Sequence, residues 1–351
     1  MYDLWKLINK LISEHSLTKA QWVYLFANRE NIDLKYLCSA AESETLNTFG
    51  HLIFLRGLIE FTNYCNRDCY YCGIRKSNLN IERYRLSAEQ IFECCNKGRE
   101  LGLMTFVLQG GEDRGISDDH IARIISAIKE CHPDCAVTVS AGERSRAAYK
   151  MWFDAGADRY LLRHETANRE HYAFLHPPRM KFENRSECLY TLKDIGYQVG
   201  AGIMVGSPGQ SSETLADDML FMSELDPDMV GMGPFMPHKD TKFAEKSAGS
   251  VRDTIICTAL VRLMLPKTLI PATTALGVAD SEGIEKGILA GANVIMPNIT
   301  PSSEKSKYRI YDKKEESRSG TEEYIDELEQ RLAAISRKIA VSRGDFPGYV
   351  P

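Results

Sequence analysis

Along the chain, short runs of apolar and β-branched residues alternate with longer stretches in which apolar positions recur every three or four residues. That alternation is the signature of βα units and a parallel sheet. Eight runs read as strands, at 52–60, 104–108, 136–139, 159–162, 199–205, 229–232, 268–271 and 294–296. Helical periodicity fills the intervals at 87–101, 117–130, 143–155, 183–195, 211–224 and 251–264, and the first of these opens on Ser87 with Gln90 three residues on, a capping box. Eight alternations over roughly 250 residues match the size of a (β/α)8 TIM-type barrel, with an open doubly wound sheet as the alternative. The barrel is favoured because nearly every run ends in a polar or glycine-containing cluster, such as Gln109-Gly110-Gly111-Glu112, Ser140-Ala141-Gly142-Glu143, Arg163-His164-Glu165 and Ala272-Thr273-Thr274. In a barrel these clusters converge on one rim, the face that carries active sites.

Residues 1–50 read as a helical extension with helices at 4–13, 19–28 and 34–49, expected to close the opposite end of the barrel. The barrel is expected over 51–311, and 312–351 as a charge-rich tail with a helix at 322–341. The 351 residues are 44% apolar and 26% charged, enough for a large core, which excludes disordered and fibrous classes. A formal net charge of -5 offers no general attraction for nucleic acid or an anionic membrane. The first helix is interrupted by Asp3, Lys6 and Lys10 and reads as amphipathic, not as a signal peptide. With ten cysteines and no secretion signal, reduced thiols in the cytoplasm are expected.

Three of those cysteines form Cys65-x3-Cys69-x2-Cys72 in the loop after the first strand. Soft sulfur ligands select zinc, copper(I) or iron-sulfur clusters. A structural zinc site normally closes with four ligands, and no fourth is evident, because His51 precedes the strand and Cys94-Cys95 lie within the next helix. Three ligands suit a four-iron four-sulfur cluster with one iron open to another group.

This cysteine spacing, with Tyr71 just before the last cysteine, resembles the motif of the radical S-adenosylmethionine superfamily. The resemblance implies that the open iron binds S-adenosylmethionine and that reductive cleavage yields a 5′-deoxyadenosyl radical. Gln109-Gly110-Gly111-Glu112 resembles the Gly-Gly-Glu segment that holds the methionine amino group, where glycine permits close backbone approach and a carboxylate complements an ammonium. The 202–206 segment with Met204 resembles the adenine and ribose contact strand, and Ser140 and Glu143 are ribose or methionine contacts by position.

Longer strings, among them 159–168, 231–235, 270–275 and 291–298, resemble the HydE subfamily of FeFe-hydrogenase maturases, in the biotin synthase-like branch. The resemblance implies a role in assembling the hydrogenase active-site cluster on a small-molecule or organometallic substrate. It also implies an electron donor such as ferredoxin or flavodoxin, and other maturation proteins as partners. Arg163 and Glu165 are assigned to catalysis, and Arg163 with Thr273 and Thr274 would bind an anionic ligand through charge-assisted hydrogen bonds. Met229, Met296, Tyr308 and Tyr311 are assigned to the substrate cavity, and Arg185 to the cosubstrate carboxylate. Many subfamily members carry further cysteines near the C-terminus for an accessory cluster, whereas the last cysteine here is Cys257, so one cluster is expected. The alternatives are a carbon-skeleton mutase similar to methylornithine synthase, a sulfur-inserting enzyme similar to biotin synthase, and a non-enzymatic iron-sulfur scaffold. None of the remaining cysteines ends a strand, which counts against sulfur insertion.

Overall fold

A computed structural model of the chain describes residues 2–312 and 320–349. Three helices, α1 (Leu4–Glu14), α2 (Lys19–Ala27) and α3 (Leu34–Phe49), precede the first strand. The first run is one stave in two parts, β1 (Leu52–Leu55) and β2 (Gly57–Thr62), separated at Arg56. There follow α4 (Ala88–Glu100), β3 (Thr105–Gly110), α5 (Asp118–Cys131), β4 (Ala136–Ser140), α6 (Arg146–Asp154), β5 (Arg159–Leu161), α7 (Arg169–Leu175), α8 (Phe182–Ile195), β6 (Gln198–Ala201) and β7 (Met204–Val205). The second half comprises α9 (Ser212–Leu225), β8 (Met229–Val230), β9 (Gly233–Pro234), α10 (Val251–Met264), α11 (Thr274–Ala279), α12 (Gly283–Leu289), β10 (Val294–Ile295), α13 (Ser302–Lys305), α14 (Thr321–Ala334) and β11 (Lys338–Ala340).

The strands β2-β3-β4-β5-β6-β8 form a parallel sheet in sequence order. Closure comes through parallel bridges from Met229 to Leu269, Pro271 to Val294 and Leu58 to Asn298, together with the parallel pairing of β1 with β10. The eight runs therefore become eight parallel staves of a closed barrel. Ser87 caps α4 in the expected capping box with Gln90. The short α7, α11 and α12 carry too few turns to stand out as a period.

The ends of the chain depart from expectation. α2 packs along α9 and α3 along α10, so the N-terminal helices flank the barrel and do not close its lower end. Helix α10 is buried at every position from Thr254 to Met264, and a helix that apolar needs a cover on its outer side as well. The stripe Leu37, Ala41, Thr45 and Phe49 of α3 supplies it.

The floor is built by the chain after α14. β11 adds beside β1, and the following loop crosses the strand starts. The Arg343 carbonyl accepts from Thr105 Oγ1 (2.8 Å) and Arg159 Nη2 (2.9 Å), while Asp345 takes Arg159 Nη2 (2.5 Å) and Gln198 Nε2 (2.9 Å). Thr105, Arg159 and Gln198 are the first residues of β3, β5 and β6, which marks this as the end opposite the polar clusters. Among the described residues, no helix is long and apolar enough to cross a membrane.

Candidate functional site

The cysteine loop leaves β2 at the upper rim and packs against the segment that follows β3, where Asn66 N donates to the Glu112 carbonyl (2.9 Å). Cys65, Cys69 and Cys72 are all half-buried. The Cys65 sulfur accepts the backbone N–H of Arg67 and of Glu112, each at 3.4 Å. Gly111 makes this approach possible, since a Cβ there would lie 2.2 Å from the Tyr64 carbonyl oxygen and 2.8 Å from Cys65 Cβ. Burial and the charges of the other two cysteines push the Cys69 thiol well up, and burial, with Cys65 next, pushes Cys72 up to about 12. Three thiols that feel one another's charge ionise only if a cation compensates them. Among the described residues no three His, Cys, Asp or Glu side chains form a compact set of ligands for a single metal ion.

Beside the cysteines runs a chain of four alternating charges. Arg67 donates from Nε to Glu112 Oε2 (2.8 Å) and from Nη2 to Glu143 Oε2 (2.7 Å). Arg185, four residues into α8, donates from Nε to Glu143 Oε1 (2.7 Å) and from Nη1 to the Arg163 carbonyl (2.5 Å). Glu112 is 3% exposed; its Oε1 is buried and accepts no hydrogen bond, with the exposed Arg114 guanidinium facing it at 3.6 Å. A buried carboxylate oxygen with only a distant cation has room for a closer donor from outside the chain. Arg67 lay unread in the sequence, although its position between Cys65 and Cys69 fixes it against the two acids in the loops that follow β3 and β4.

Gln109 and Ser140 face each other in the register of β3 and β4 at this rim. Tyr71 donates toward His176 Nε2 (3.2 Å), whose Nδ1 bonds the Tyr172 carbonyl (2.9 Å). Burial, with Arg185 next, lowers His176 to about 3, so it stays neutral and its Nε2 accepts. Met204 ends the wall in an apolar group with Leu175, Phe235 and Phe243, against which Tyr70 and Tyr71 pack.

Deeper in the mouth, Arg163 Nη2 donates to Glu165 Oε2 (2.9 Å) and to the Ile203 carbonyl (2.8 Å). The two side chains do share a side, but not through strand pleating, because β5 stops at Leu161 and Glu165 adopts φ +65°. That left-handed turn is held by Glu165 N donating to the Gly202 carbonyl (3.0 Å), by Gly202 N donating to His164 Nδ1 (3.3 Å) and by Ala167 N donating to Asp218 (2.5 Å). A non-glycine residue at positive φ persists only where its surroundings over-determine it.

The assigned cavity residues separate by depth. Tyr308 is buried beside Glu60 and Cys72 and bonds Gln109, and Tyr311 lies near Glu60 and Arg163. Glu60 itself, buried on the first stave and bonded by Asn298 Nδ2 at 3.0 Å, is a lumen acid that sequence reasoning missed. Thr273 has a buried hydroxyl without a hydrogen-bond partner, whereas Thr274 is exposed at the start of α11. Met229 and Met296 sit lower, with Phe54, Leu269 and Val294, and the Met229 sulfur accepts from Arg56 Nη1 at 2.9 Å.

Residues 59–222 match the model of the radical SAM superfamily. The [FeFe] hydrogenase maturase subunit HydE of Thermotoga maritima is 48% identical over 262 residues, 75% of this chain and 74% of that protein. The chain belongs to the radical SAM superfamily. Its members are enzymes that cleave S-adenosylmethionine reductively at a four-iron four-sulfur cluster, and the cysteine loop, the Gly111 approach and the Glu112 oxygen that accepts no hydrogen bond fit those two groups. This radical SAM enzyme is also 31% identical to the 3-methylornithine synthase of Methanosarcina barkeri over 346 residues, 96% of this chain and 94% of that one. The crystal structure of methylornithine synthase (PylB) superposes with a TM-score of 0.82 at 28% identity, covering 95% of this chain and 97% of that one. The fold is thus shared with relatives whose names carry different activities, and fold alone does not choose between them.

Proposed function

We propose that this enzyme acts in assembly of the FeFe-hydrogenase active-site cluster, on a small-molecule or organometallic substrate held in the barrel lumen. The observation that carries the reading is the Arg163–Glu165 pair on its strained turn at the lumen mouth, joined to the 48% identity with a maturase. A cation and an acid presented together, with the Thr273 hydroxyl and Tyr311 nearby in the mouth, form a polar collar suited to an anionic, metal-bound ligand.

When bound, the cluster and S-adenosylmethionine supply a 5′-deoxyadenosyl radical. The chain's own residues then bind and orient. Cys65, Cys69 and Cys72 hold one cluster. Glu112 offers Oε1 to the methionine ammonium, and Arg185, fixed through Nε and Nη1, keeps Nη2 for the carboxylate. Glu143 acts on the cosubstrate through Arg67 and Arg185, since both of its oxygens are taken by them. Tyr71, Gln109, Gly110, Ser140 and Met204 frame the nucleoside and the cluster edge. Met229 and Met296 form the lower wall of the cavity, and Tyr308 its side. An electron carrier such as ferredoxin or flavodoxin, further maturation proteins and a cytoplasmic setting complete the reading, with no nucleic acid or membrane partner. The division into 1–50, 51–311 and 312–351 follows the same reading.

The likeness to methylornithine synthase over nearly the whole chain favours a carbon-skeleton mutase as the second reading. Electron paramagnetic resonance of the reconstituted, reduced protein with and without S-adenosylmethionine, followed by a 5′-deoxyadenosine assay, tests the shared chemistry. Addition to an in vitro hydrogenase maturation mixture then separates the readings. Activation of hydrogenase supports the maturase, and formation of 3-methylornithine in its place overturns it.

A further inference from the structure

Radical SAM chemistry consumes an electron, and the outer side of the cysteine loop carries a surface with unusual composition. Segments 66–80, 175–181 and 238–246 are tied into one face there. Arg179 Nη2 donates to the Asn66 carbonyl (3.3 Å), Tyr70 N to the Leu175 carbonyl (3.0 Å) and Arg75 Nη2 to the Asp240 carbonyl (2.9 Å). Lys76, Arg179, Lys239 and Lys242 are all exposed on this face, and none forms an ion pair among the described residues. Lys242 Nζ stands 3.4 Å from the centre of the Tyr70 ring, directly over the loop.

The acids of the same segments are largely engaged. Asp68 accepts from Ser77 N and lies beside Arg75, and Asp240 accepts from Asn80 Nδ2. Asp312 accepts from Lys239 N (2.7 Å) and faces His238, and Glu245 is exposed, so among the described residues of this face the cations outnumber the available acids, in a chain whose net charge is -5. Among the cations sit two exposed apolar side chains. Leu79 is 89% exposed, and Phe174 is 50% exposed and stacked on Phe243 at 5.4 Å. Exposed apolar side chains interspersed with unpaired cations have the composition of a transient protein interface.

We propose that this face docks an acidic one-electron carrier protein, which delivers its electron through the Asn66–Tyr70 side of the cysteine loop. The proposal rests on the cluster assignment above. With a flavin carrier, the anionic hydroquinone becomes the neutral semiquinone and the cluster is reduced by one electron, with no proton moved. The overall negative charge repels such a partner elsewhere, so the local cations select the productive orientation as well as speeding the encounter.

The test uses the reconstituted enzyme with oxidised flavodoxin as the binding probe and flavodoxin hydroquinone as the reductant. Wild type is expected to bind with an affinity that falls as salt rises. The double variant Lys76→Glu/Lys242→Glu should bind about tenfold or more weakly at low ionic strength and accept electrons from flavodoxin correspondingly slowly. Its iron and sulfide content, melting temperature and 5′-deoxyadenosine formation with dithionite should stay at wild-type values. A control with the same charge change on distant helices, Lys35→Glu/Lys97→Glu, should bind as wild type. Equal weakening in both double variants, unchanged binding in the first, or no binding by wild type overturns the docking face. Failure to load a cluster or to form 5′-deoxyadenosine with dithionite would instead overturn the cluster reading, a separate outcome.

Discussion

Replacing Glu112 by Gln should move cosubstrate affinity and protein stability by very different amounts. In the structure Glu112 Oε2 accepts from Arg67 (2.8 Å) and from Glu143 N (3.1 Å), while buried Oε1 accepts no hydrogen bond and has only the exposed Arg114 Nη2 at 3.6 Å. A buried acceptor without a hydrogen bond costs about 1–3 kcal/mol; the screened Arg114 charge offsets part of this, and an incoming ammonium removes the rest. A charge-assisted bond of this kind contributes about 1.5–3 kcal/mol, so Glu112→Gln should weaken S-adenosylmethionine binding by roughly 10- to 150-fold. The folded chain should lose less. The Gln oxygen still accepts from Arg67, and Arg67 keeps Glu143 at 2.7 Å, so the cost is not that of an abandoned buried charge but about 1–2 kcal/mol. Glu143→Gln removes the same charge from the same network, yet both Glu143 oxygens are occupied, by Arg67 and Arg185. It should therefore cost more stability and less affinity than Glu112→Gln. Equilibrium binding of S-adenosylmethionine to the reconstituted proteins, beside thermal melts, measures the crossover. If Glu143→Gln weakens binding as much as Glu112→Gln, Glu112 Oε1 is not the ammonium site.

Glu165→Gly should relieve the φ +65° turn and raise the melting temperature by the equivalent of about 1 kcal/mol, while abolishing product formation and sparing uncoupled S-adenosylmethionine cleavage. Equal loss of both activities would place Glu165 on the cosubstrate. Each of Cys65→Ser, Cys69→Ser and Cys72→Ser should eliminate the cluster yet leave the circular dichroism spectrum intact, because the ligands sit in a rim loop outside the strands; iron retained at wild-type level in any of them would refute its ligand role. At the opposite end, burial opposes ionisation of Asp345, but Arg343 and Arg159 hold its carboxyl down from 3.8 to about 2. Since the folded value is depressed, its stabilisation of about 2 kcal/mol is complete above pH ~4 and disappears as pH falls toward ~2. Urea titrations should thus show Asp345→Asn less stable at pH 7 and converging with wild type in acid; a gap independent of pH would contradict the pairing.

Much of the fold was legible before any coordinates because a parallel barrel writes itself locally. Each stave is a short apolar run, each crossover an amphipathic period, and each active-rim segment a break in both. The cysteine triplet was equally legible, since its ligands share one loop and their spacing is a property of eight consecutive residues. Contacts between residues far apart in the chain left no such trace. Nothing in the periodicity shows that 341–349 folds back to floor the barrel, because Arg159 and Asp345 are 186 positions apart. Nor could it reveal that α3 shields α10, which depends on which flank of the closed barrel lies bare.

The site divides in the same way. Local sequence determined which residues end each stave and hence which side chains crowd the rim. Only the tertiary structure decided their pairings: that Arg67 joins Glu112 to Glu143, that one oxygen of Glu112 accepts no hydrogen bond, and that Glu165 leaves the strand in a left-handed turn held by Gly202 and Asp218. The reason is geometric. Strand and helix periods set the direction of a side chain relative to its own element, whereas charge pairing and desolvation depend on the distance between elements, which closure of the barrel alone sets.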